Sequence, residues 1–364
     1  MIRVLHIVTY MGRGGLETML MNYYRNIDRT KVQFDFLVHR DFEADYDKEI
    51  LEMGGKIYHM SRLVPWSKDY KNELKNFFKD HSEYKIVHVH QDCLSSVALK
   101  CAAECGIPVR IAHSHNSNQD KNLKYIFKRY YMRSIPKYAT ELFACGKGAG
   151  DWMYKGEEYK ILNNAIDIKK YIYKKDRDTD LRQTYNIEDK VIIGHVGRFR
   201  KQKNHEFIID IFNEVSKKID NAILMLVGDG EEQQRIVEKV KQLNLQDKVT
   251  FMGARSDVNE LMQMMNVFLF PSLYEGLPLT MVEAQAAGLP IIMSDTITDE
   301  CIVTENLVSK MSLNETSEKW ADKVISKINE EKQEHSSEIR KYGFDIKNEA
   351  SKLEDFYIRE YGDI

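Results

Sequence analysis

Two glutamates eight positions apart, Glu275 and Glu283, stand in the stretch 270–291, FPSLYEGLPLTMVEAQAAGLPI. The apolar run Val267–Phe270 ends at Pro271, and proline lacks the N–H that a central ladder needs, so a buried parallel strand is expected to stop there. The next residues, Ser272–Pro278, form a loop with Gly276 and Pro278. Leu279–Ala287 then has helical spacing and alanine-rich packing until Gly288 closes it. A strand that feeds a tight loop and a helix N-terminus offers backbone N–H groups and a partial positive charge, which suits a phosphate or a developing anion. Glu275 in the loop and Glu283 about one turn inside the helix frame that positive end. Two carboxyls roughly 5–9 Å apart are also what glycoside hydrolysis requires, and a solvated loop glutamate beside a surface helix glutamate is the plain alternative.

Other strand ends carry polar residues of matching character. Val191–Val196 reads as a strand, and the residues after it spell GRFRKQKN, with Arg198 and Lys203 following Gly197. Arginine offers a planar fork and lysine a point charge, which together cover two phosphates; a basic surface turn is the alternative. Ala222–Val227 leads to Gly228-Asp229-Gly230. Val249–Met252 leads to Gly253-Ala254-Arg255, with Asp257 placed to cap the next helix. In the first half, Ile2–Val8 feeds a loop, Thr9–Gly15, before a helix over Leu16–Tyr24 that carries Glu17. The glycines Gly12, Gly14 and Gly15 do not spell G-x-G-x-x-G, which argues against a nicotinamide dinucleotide; a turn needing positive φ is the bland reading. Lys85–Val89 delivers His90, and Val109–Ala112 delivers His113-Ser114-His115-Asn116. The pair reads as a substrate-contacting histidine with a neighbour packed beneath it. H-x-H without a third ligand is a weak metal signal, and Asp45-Tyr46-Asp47 falls at a helix start rather than after a strand. No metal and no cofactor are expected.

These junctions require repeated strand–helix alternation, hence right-handed parallel sheets with ligands beyond the carboxyl ends of the strands. A chain of 364 residues exceeds one comfortable core, so two domains are expected, with a break near Asp167 and an exposed, charge-dense linker over Lys174–Asp180. With 43% hydrophobic and 30% charged residues the chain reads as a globular α/β protein. No apolar run approaches the roughly 18 residues that span a bilayer, and MIRVLHIVTY runs straight into a strand pattern rather than a signal peptide, so a cytoplasmic protein is expected. Five cysteines without a C-x-x-C pair fit packed, reduced thiols. Residues 1–165 hold 25 Lys/Arg against 20 Asp/Glu and the remainder 28 against 36, a split of +5 and −8 that points to an anionic partner for the first half. Between Lys121 and Lys137 six basic and no acidic residues interleave with Leu123, Ile126, Phe127, Tyr130, Tyr131 and Met132. Such a helix either lies on an anionic membrane face or packs on the core with a solvated back. Nucleic acid is not expected, because no reader motif surrounds these aromatics.

The pairing of Glu275 and Glu283, within an E-G-x-P…E-A-x-A-x-G run, resembles the donor-sugar motif of retaining glycosyltransferases of family 4, the "glycosyl transferases group 1" with the GT-B fold. The loop with Arg198 and Lys203 resembles the same family's G-R-x3-x-K-[GN] element, Gly14-Gly15-Leu16-Glu17 its G-G-x-E loop, and Asn163-Asn164-Ala165-Ile166-Asp167 its interdomain P-N-G-[VI]-D passage, departing from that passage at Leu162 and Ala165. Beyond Ser294 the likeness loosens.

The resemblance implies two Rossmann-like domains facing across a cleft: 1–166 for the acceptor, joined by a last helix over 345–364, and 167–344 for a nucleotide sugar. It implies that Phe344, Leu353, Phe356 and Tyr357 pack that last helix onto the first domain. Glu275 and the backbone of Gly276, Leu277, Pro278, Leu279 and Thr280 would hold sugar and phosphate, and Glu283 the ribose. Arg198 and Lys203 would neutralise the diphosphate, Gly15, Gly197 and Gly228 would let backbone approach the donor, and Ala254 and Arg255 would meet the base. His115 would contact the transferred sugar, and Gly14, Glu17, His90, His113 and Asn116 the acceptor. The implied activity is metal-independent, retaining transfer of a hexose or N-acetylhexosamine from a UDP-type donor to a saccharide or lipid-linked acceptor of capsule or exopolysaccharide assembly. A nucleotide-sugar epimerase and a non-catalytic nucleotide-sugar-binding protein are the rival classes.

Overall fold

The computed structural model describes residues 1–116 and 123–364. The chain divides into two compact units, Met1–Ile166 with Asp345–Ile364, and Asp167–Phe344. Each is built on one parallel sheet flanked by helices.

The first sheet has seven strands: β1 (Ile2–Ile7), β2 (Val32–Val38), β3 (Ile57–His59), β4 (Ile86–Val89), β5 (Val109–Ser114), β6 (Glu141–Ala144) and β7 (Lys160–Ile161). Their spatial order is β3-β2-β1-β4-β5-β6-β7. The second has six: β8 (Val191–Val196), β9 (Ala222–Val227), β10 (Val249–Gly253), β11 (Val267–Phe270), β12 (Ile291–Ser294) and β13 (Val308–Met311), ordered β10-β9-β8-β11-β12-β13. The inner strands are mostly apolar and buried because helices cover both faces, whereas the edge strands β3, β7 and β13 are partly exposed. Each sheet grows outward from its first strand in one direction and then reverses, so the order switches between β1 and β4 and between β8 and β11. Neighbouring helices then lie on opposite faces, and the loops that leave the paired strand ends diverge to form a crevice.

The last helix, Ile346–Gly362, belongs to the first unit. Ile346, Ala350, Leu353, Phe356 and Tyr357 make one buried face at helical spacing, and they enter the same core as Val4, Phe34, Ile86 and Phe143. Tyr357 Oη shares a 2.7 Å hydrogen bond with His88 Nδ1, and Glu354 receives the Asp28 N–H at 2.7 Å. Phe344 takes no part in that face: it precedes the helix and falls in the second unit.

Two other expectations change. Lys174–Asp180 is not a linker; a helix runs over Lys175–Tyr185. The segment is exposed as its charge suggests, apart from half-buried Asp178, and the helix is anchored just beyond it: Arg182 bonds Asp178 at 2.7 Å and the Lys190 carbonyl at 2.8 Å, while Leu181 is buried. β5 runs on through Ser114, so His113 is a strand residue rather than part of a loop.

Replacing Tyr357 with phenylalanine strips a buried imidazole nitrogen of its partner, which costs on the order of 1–3 kcal/mol. A urea titration of Tyr357→Phe followed by circular dichroism is expected to show an earlier midpoint than the parent chain. An unmoved midpoint would show that packing alone seats the helix.

Candidate functional site

In the second unit the loops that leave β8 and β11 are joined side by side. Phe199 is fully buried and lies 4.1 Å from the His205 ring, and its N–H reaches the Asp229 carbonyl at 2.6 Å, which pins the loop between Gly197 and Asn204. Gly197 donates to Val227 at 2.9 Å. Gly228 has φ +137°, and a Cβ there would lie 2.2 Å from the Gly197 carbonyl oxygen, so only glycine fits the crossing. From this platform Gln202 donates to Glu275 Oε2 at 3.0 Å and to the Tyr274 carbonyl at 2.9 Å, and the Leu273 N–H donates back to the Gln202 carbonyl at 2.8 Å.

Lys203 and Glu275 meet in this seam. Lys203 Nζ stands 2.7 Å from Glu275 Oε1 and 4.8 Å from the centre of the Phe270 ring, with side-chain exposures of 17% and 7% for the pair. The lysine stem also packs over Gly197, where an added Cβ would come within 3.2 Å of it. The sequence assigns these residues to separate ligand groups; the fold makes them partners. Arg198, next to Gly197, is half-buried.

The helix Leu279–Ala286 follows, with Pro278 at its N-cap and no side-chain cap. Thr280 Oγ1, in its first turn, is buried without a hydrogen-bond partner. Leu277 packs against the core and Pro278 is buried, which anchors the loop just after Gly276. Glu283 lies one turn further in, 8% exposed, and accepts the Tyr171 hydroxyl at 2.7 Å. Burial pushes its carboxyl up to about 7, against the pull of the tyrosine. Ala254 and Arg255 follow β10, at the sheet edge two strands from the switch. Asp257 does not cap its helix: its carboxylate holds the Arg255 guanidinium at 2.6 and 2.8 Å, a charge-assisted fork that outcompetes a single backbone N–H.

In the first unit, Gly14 is the N-cap of the helix Gly15–Asn26, which carries Glu17 in its first turn. Neither Gly14 nor Gly15 has positive φ, and a Cβ on Gly15 would meet nothing within 4 Å, so the turn itself does not demand these glycines. Thr9, Leu16, Arg40, Arg62, His90 and Asp92 line a cavity of about 270 Å³ at the ends of β1 and β4. Asn116 Nδ2 donates to Asp92 Oδ2 at 2.7 Å, while Asp92 itself has φ +47° and a buried Oδ1 without a partner.

His90, His113 and His115 come together, and they bring two histidines the sequence reading missed. His6 Nδ1 is 3.1 Å from His90 Nε2, and His90 Nδ1 is 2.9 Å from His115 Nε2. The ring centres of His88 and His90 are 4.3 Å apart and those of His113 and His115 4.0 Å. The signal for His88 lay in its period-two spacing from His90, which puts both on one sheet face. His6 had no such signal, because its pairing with His88 across β1 and β4 is a matter of register. Burial holds His6 and His115 down at about 3 and drives His88, His90 and His113 far below the usual imidazole range, with neighbouring imidazoles adding repulsion in the latter three. Among the described residues, His6, His88 and His90, and His90, His113 and His115, are two groups that could hold a metal ion.

The Glu283 environment predicts a pH effect. Its folded value is raised above the ordinary 4.5, so between about 4.5 and 7 the folded chain keeps a proton that the unfolded chain has released, and stability falls as pH rises through that window. Glu283→Gln, which does not titrate, is expected to gain on the parent by up to about 1.4 kcal/mol per pH unit there. Urea titrations at several pH values check this; parallel curves for the two chains would remove the effect.

Comparison with known proteins follows the same division. Residues 13–170 match Glycosyltransferase Family 4 and residues 176–345 match Glycosyl transferases group 1. The chain is 36% identical over 336 residues to a Bacillus subtilis protein named glycosyltransferase EpsF, covering 88% of this chain and 86% of that one. It is 24% identical over 369 residues to the capsular polysaccharide biosynthesis glycosyltransferase CapH of Staphylococcus aureus, covering 98% and 99%. The crystal structure of Anabaena HepE in complex with UDP and glucose superposes with a TM-score of 0.76 at 15% identity, over the full length of both chains, which places the fold among the GT-B glycosyltransferases. With one relative above 30% identity across most of its length and both halves matched to the same enzyme class, the chain belongs to the family 4 glycosyltransferases.

Proposed function

We propose that the chain is a retaining, metal-independent transferase that moves a hexose or N-acetylhexosamine from a UDP-linked donor to a saccharide acceptor carried on a lipid diphosphate, in surface-polysaccharide assembly. The observation that carries the donor half is the seam of Lys203, Gln202 and Glu275 beside the uncapped helix N-terminus. A cation, a carboxylate and a positive helix end within one loop pair suit a sugar diphosphate: Lys203, with Arg198, answers the phosphates and Glu275 accepts from sugar hydroxyls. Gly197, Gly228, Gly276, Leu277, Pro278, Leu279 and Thr280 supply backbone to the donor, Glu283 meets the ribose, and Ala254 with Arg255 the base. Gly15 admits the donor phosphates.

The acceptor half rests on the cavity of the first unit, where Arg40 and Arg62 offer charge for a diphosphate and His90 and Asp92 offer polar groups for hydroxyls. Gly14, Glu17, His113 and Asn116 belong to that half, and His115 contacts a sugar. In the reaction, the bond from the anomeric carbon to the diphosphate oxygen breaks and the acceptor oxygen bonds the same face of that carbon. The departing phosphate oxygen takes the acceptor's proton, leaving UDP and the new glycoside. What the site must supply is charge stabilisation for the leaving group, which Arg198, Lys203 and the helix end provide.

Proton NMR of the product formed from a UDP-sugar and a lipid-diphosphate saccharide tests this. The anomeric configuration of the donor is expected to persist, a chelator should leave the rate unchanged, and Arg198→Ala and Lys203→Ala should each slow transfer by roughly 10². An inverted product, or an epimerised donor in the absence of acceptor, would overturn the assignment.

Partner surface for the lipid is proposed in the helix Leu123–Met132 and the residues after it. Lys121 lies outside the described residues, but Phe127 and Tyr130 are 67% and 70% exposed, with Lys128, Arg129 and Arg133 beside them, while Met132 and Ile135 face the core. Exposed rings among cations fit an anionic bilayer face. Flotation with phosphatidylglycerol vesicles is expected to carry the chain at low salt and lose it with Phe127→Ser and Tyr130→Ser; equal flotation of parent and variant would remove this surface. Among the described residues no helix is long and apolar enough to cross a membrane.

A further inference from the structure

The five imidazoles of the first unit are an unusual core. They occupy one face at the carboxyl ends of β1, β4 and β5, and the groups that perturb His88, His90 and His113 are other imidazoles rather than carboxylates. Buried polar atoms are ordinarily paired, because leaving one unmade costs about 1–3 kcal/mol. Here His113, 1% exposed, has neither ring nitrogen paired, and His115 Nδ1 and His6 Nε2 are likewise buried without partners. Ordinary packing would fill these positions with phenylalanine or leucine at no such cost.

We infer that His90, His113 and His115 form a binding site for a first-row transition-metal ion of the zinc type. Each offers a ring nitrogen, and the three lie within 4.8 Å of one another. The closest pair, His90 Nδ1 and His115 Nε2, is 2.9 Å apart and shares one proton. Two imidazoles on a tetrahedral zinc, at about 2.0–2.1 Å each, hold their nitrogens about 3.3 Å apart, so an ion takes the place of that proton with a small outward shift. His113 supplies the third nitrogen from a ring whose centre is 4.0 Å from that of His115. The outer partner is already in place: the other nitrogen of His90 bonds His6 Nδ1 at 3.1 Å, the kind of contact that fixes the tautomer and orientation of a ligating histidine. Neutral imidazole is the ligating form, and burial keeps these rings neutral. His90 also lines the 270 Å³ cavity, which gives an ion a route in and leaves a fourth position for water or an oxygen of a ligand. Sequence spacing hid this set, since H-x-H supplies two of the ligands and the third comes from the neighbouring strand.

The site is independent of the transferase reading, and its occupation is not a step in transfer. Where His115 contacts a sugar as proposed above, a bound ion would occupy the ring and inhibit rather than assist.

Equilibrium dialysis of the full, tag-free chain against Co²⁺ and Zn²⁺, with visible absorption of the Co²⁺ form, tests the inference without any activity measurement. One equivalent of either ion should remain bound, and Co²⁺ should show the intense d–d bands of a four-coordinate site with three nitrogens and one oxygen. His113→Phe, which keeps the ring volume, and His90→Gln should each lower retention at least tenfold, while His59→Ala, at an exposed histidine, should not change it. Failure of the folded parent chain to retain the ion, or retention undiminished in a folded His113→Phe chain, would overturn the site. Because the first of these is read on the unaltered protein, a variant that does not fold leaves the inference fully exposed to refutation.

Discussion

Right-handed crossovers set where a crevice opens in each sheet of this protein. A parallel strand fed through a helix must return on the side its twist allows, so a sheet that starts at its centre and grows both ways contains one place where adjacent loops part. In the second sheet that place lies between β8 and β11, and in the first between β1 and β4. Gly197, Arg198, Lys203 and the segment from Ser272 to Thr280 leave the first of these strand pairs; Thr9, Gly14, Gly15 and His90 leave the other. The polar residues that looked like scattered strand-end features are therefore gathered by topology before any side-chain contact is considered. Gly228 shows how tightly: its α-carbon sits so close to the Gly197 carbonyl that a methyl group would push the cation loop off its seat.

Given that placement, the charge arrangement has a logic of its own. Lys203 and Glu275 are nearly buried, and two such charges persist only if each answers the other or a ligand does. The aromatic face of Phe270 under the ammonium and the Gln202 amide on the second carboxylate oxygen complete the shell. In the donor reading proposed above, a diphosphate would offer Lys203 more charge than one carboxylate, and a sugar would offer Glu275 hydroxyl donors in return. Glu283 differs in kind. Among the described residues it has a tyrosine hydroxyl but no cation, so burial keeps its proton on until near neutrality, and a neutral carboxyl can both donate to and accept from a hydroxyl pair.

How much of this could be read from sequence follows from the range of the forces involved. The strands, the strand-end loops and the two-unit division depend on local apolar runs and breaks, and these were legible to within a few residues. The Glu275 and Glu283 pair was legible because its spacing reflects one loop and one helical turn. What escaped depends on register or on pairing across the chain. His6 reaches the imidazole cluster only because β1 and β4 pair His6 with His88. Asp257 spells a helix cap, but Arg255 two residues earlier claims its carboxylate. Lys174–Asp180 is solvent-facing, as its charge suggests, but charge alone does not reveal that it is helical, because what anchors that helix is Leu181 in the core and Arg182 on the Lys190 carbonyl.

The imidazole cluster bears on the chemistry whether or not an ion ever enters it. A base is useful near its own pKa, and His115, held at about 3 by burial, is far too weak at neutral pH to take a proton from a sugar hydroxyl. A phosphate monoester oxygen, with a second pKa near 6, is the stronger base of the two. If the acceptor's proton must go somewhere as its oxygen bonds the anomeric carbon, the departing diphosphate is the better recipient, and that recipient lies on the face of the sugar from which the leaving group departs. A reaction whose base and leaving group are the same atom constrains the nucleophile to that face, which preserves configuration without a second carboxylate below the ring. In the transfer proposed above, burial of these imidazoles leaves that proton to the substrate.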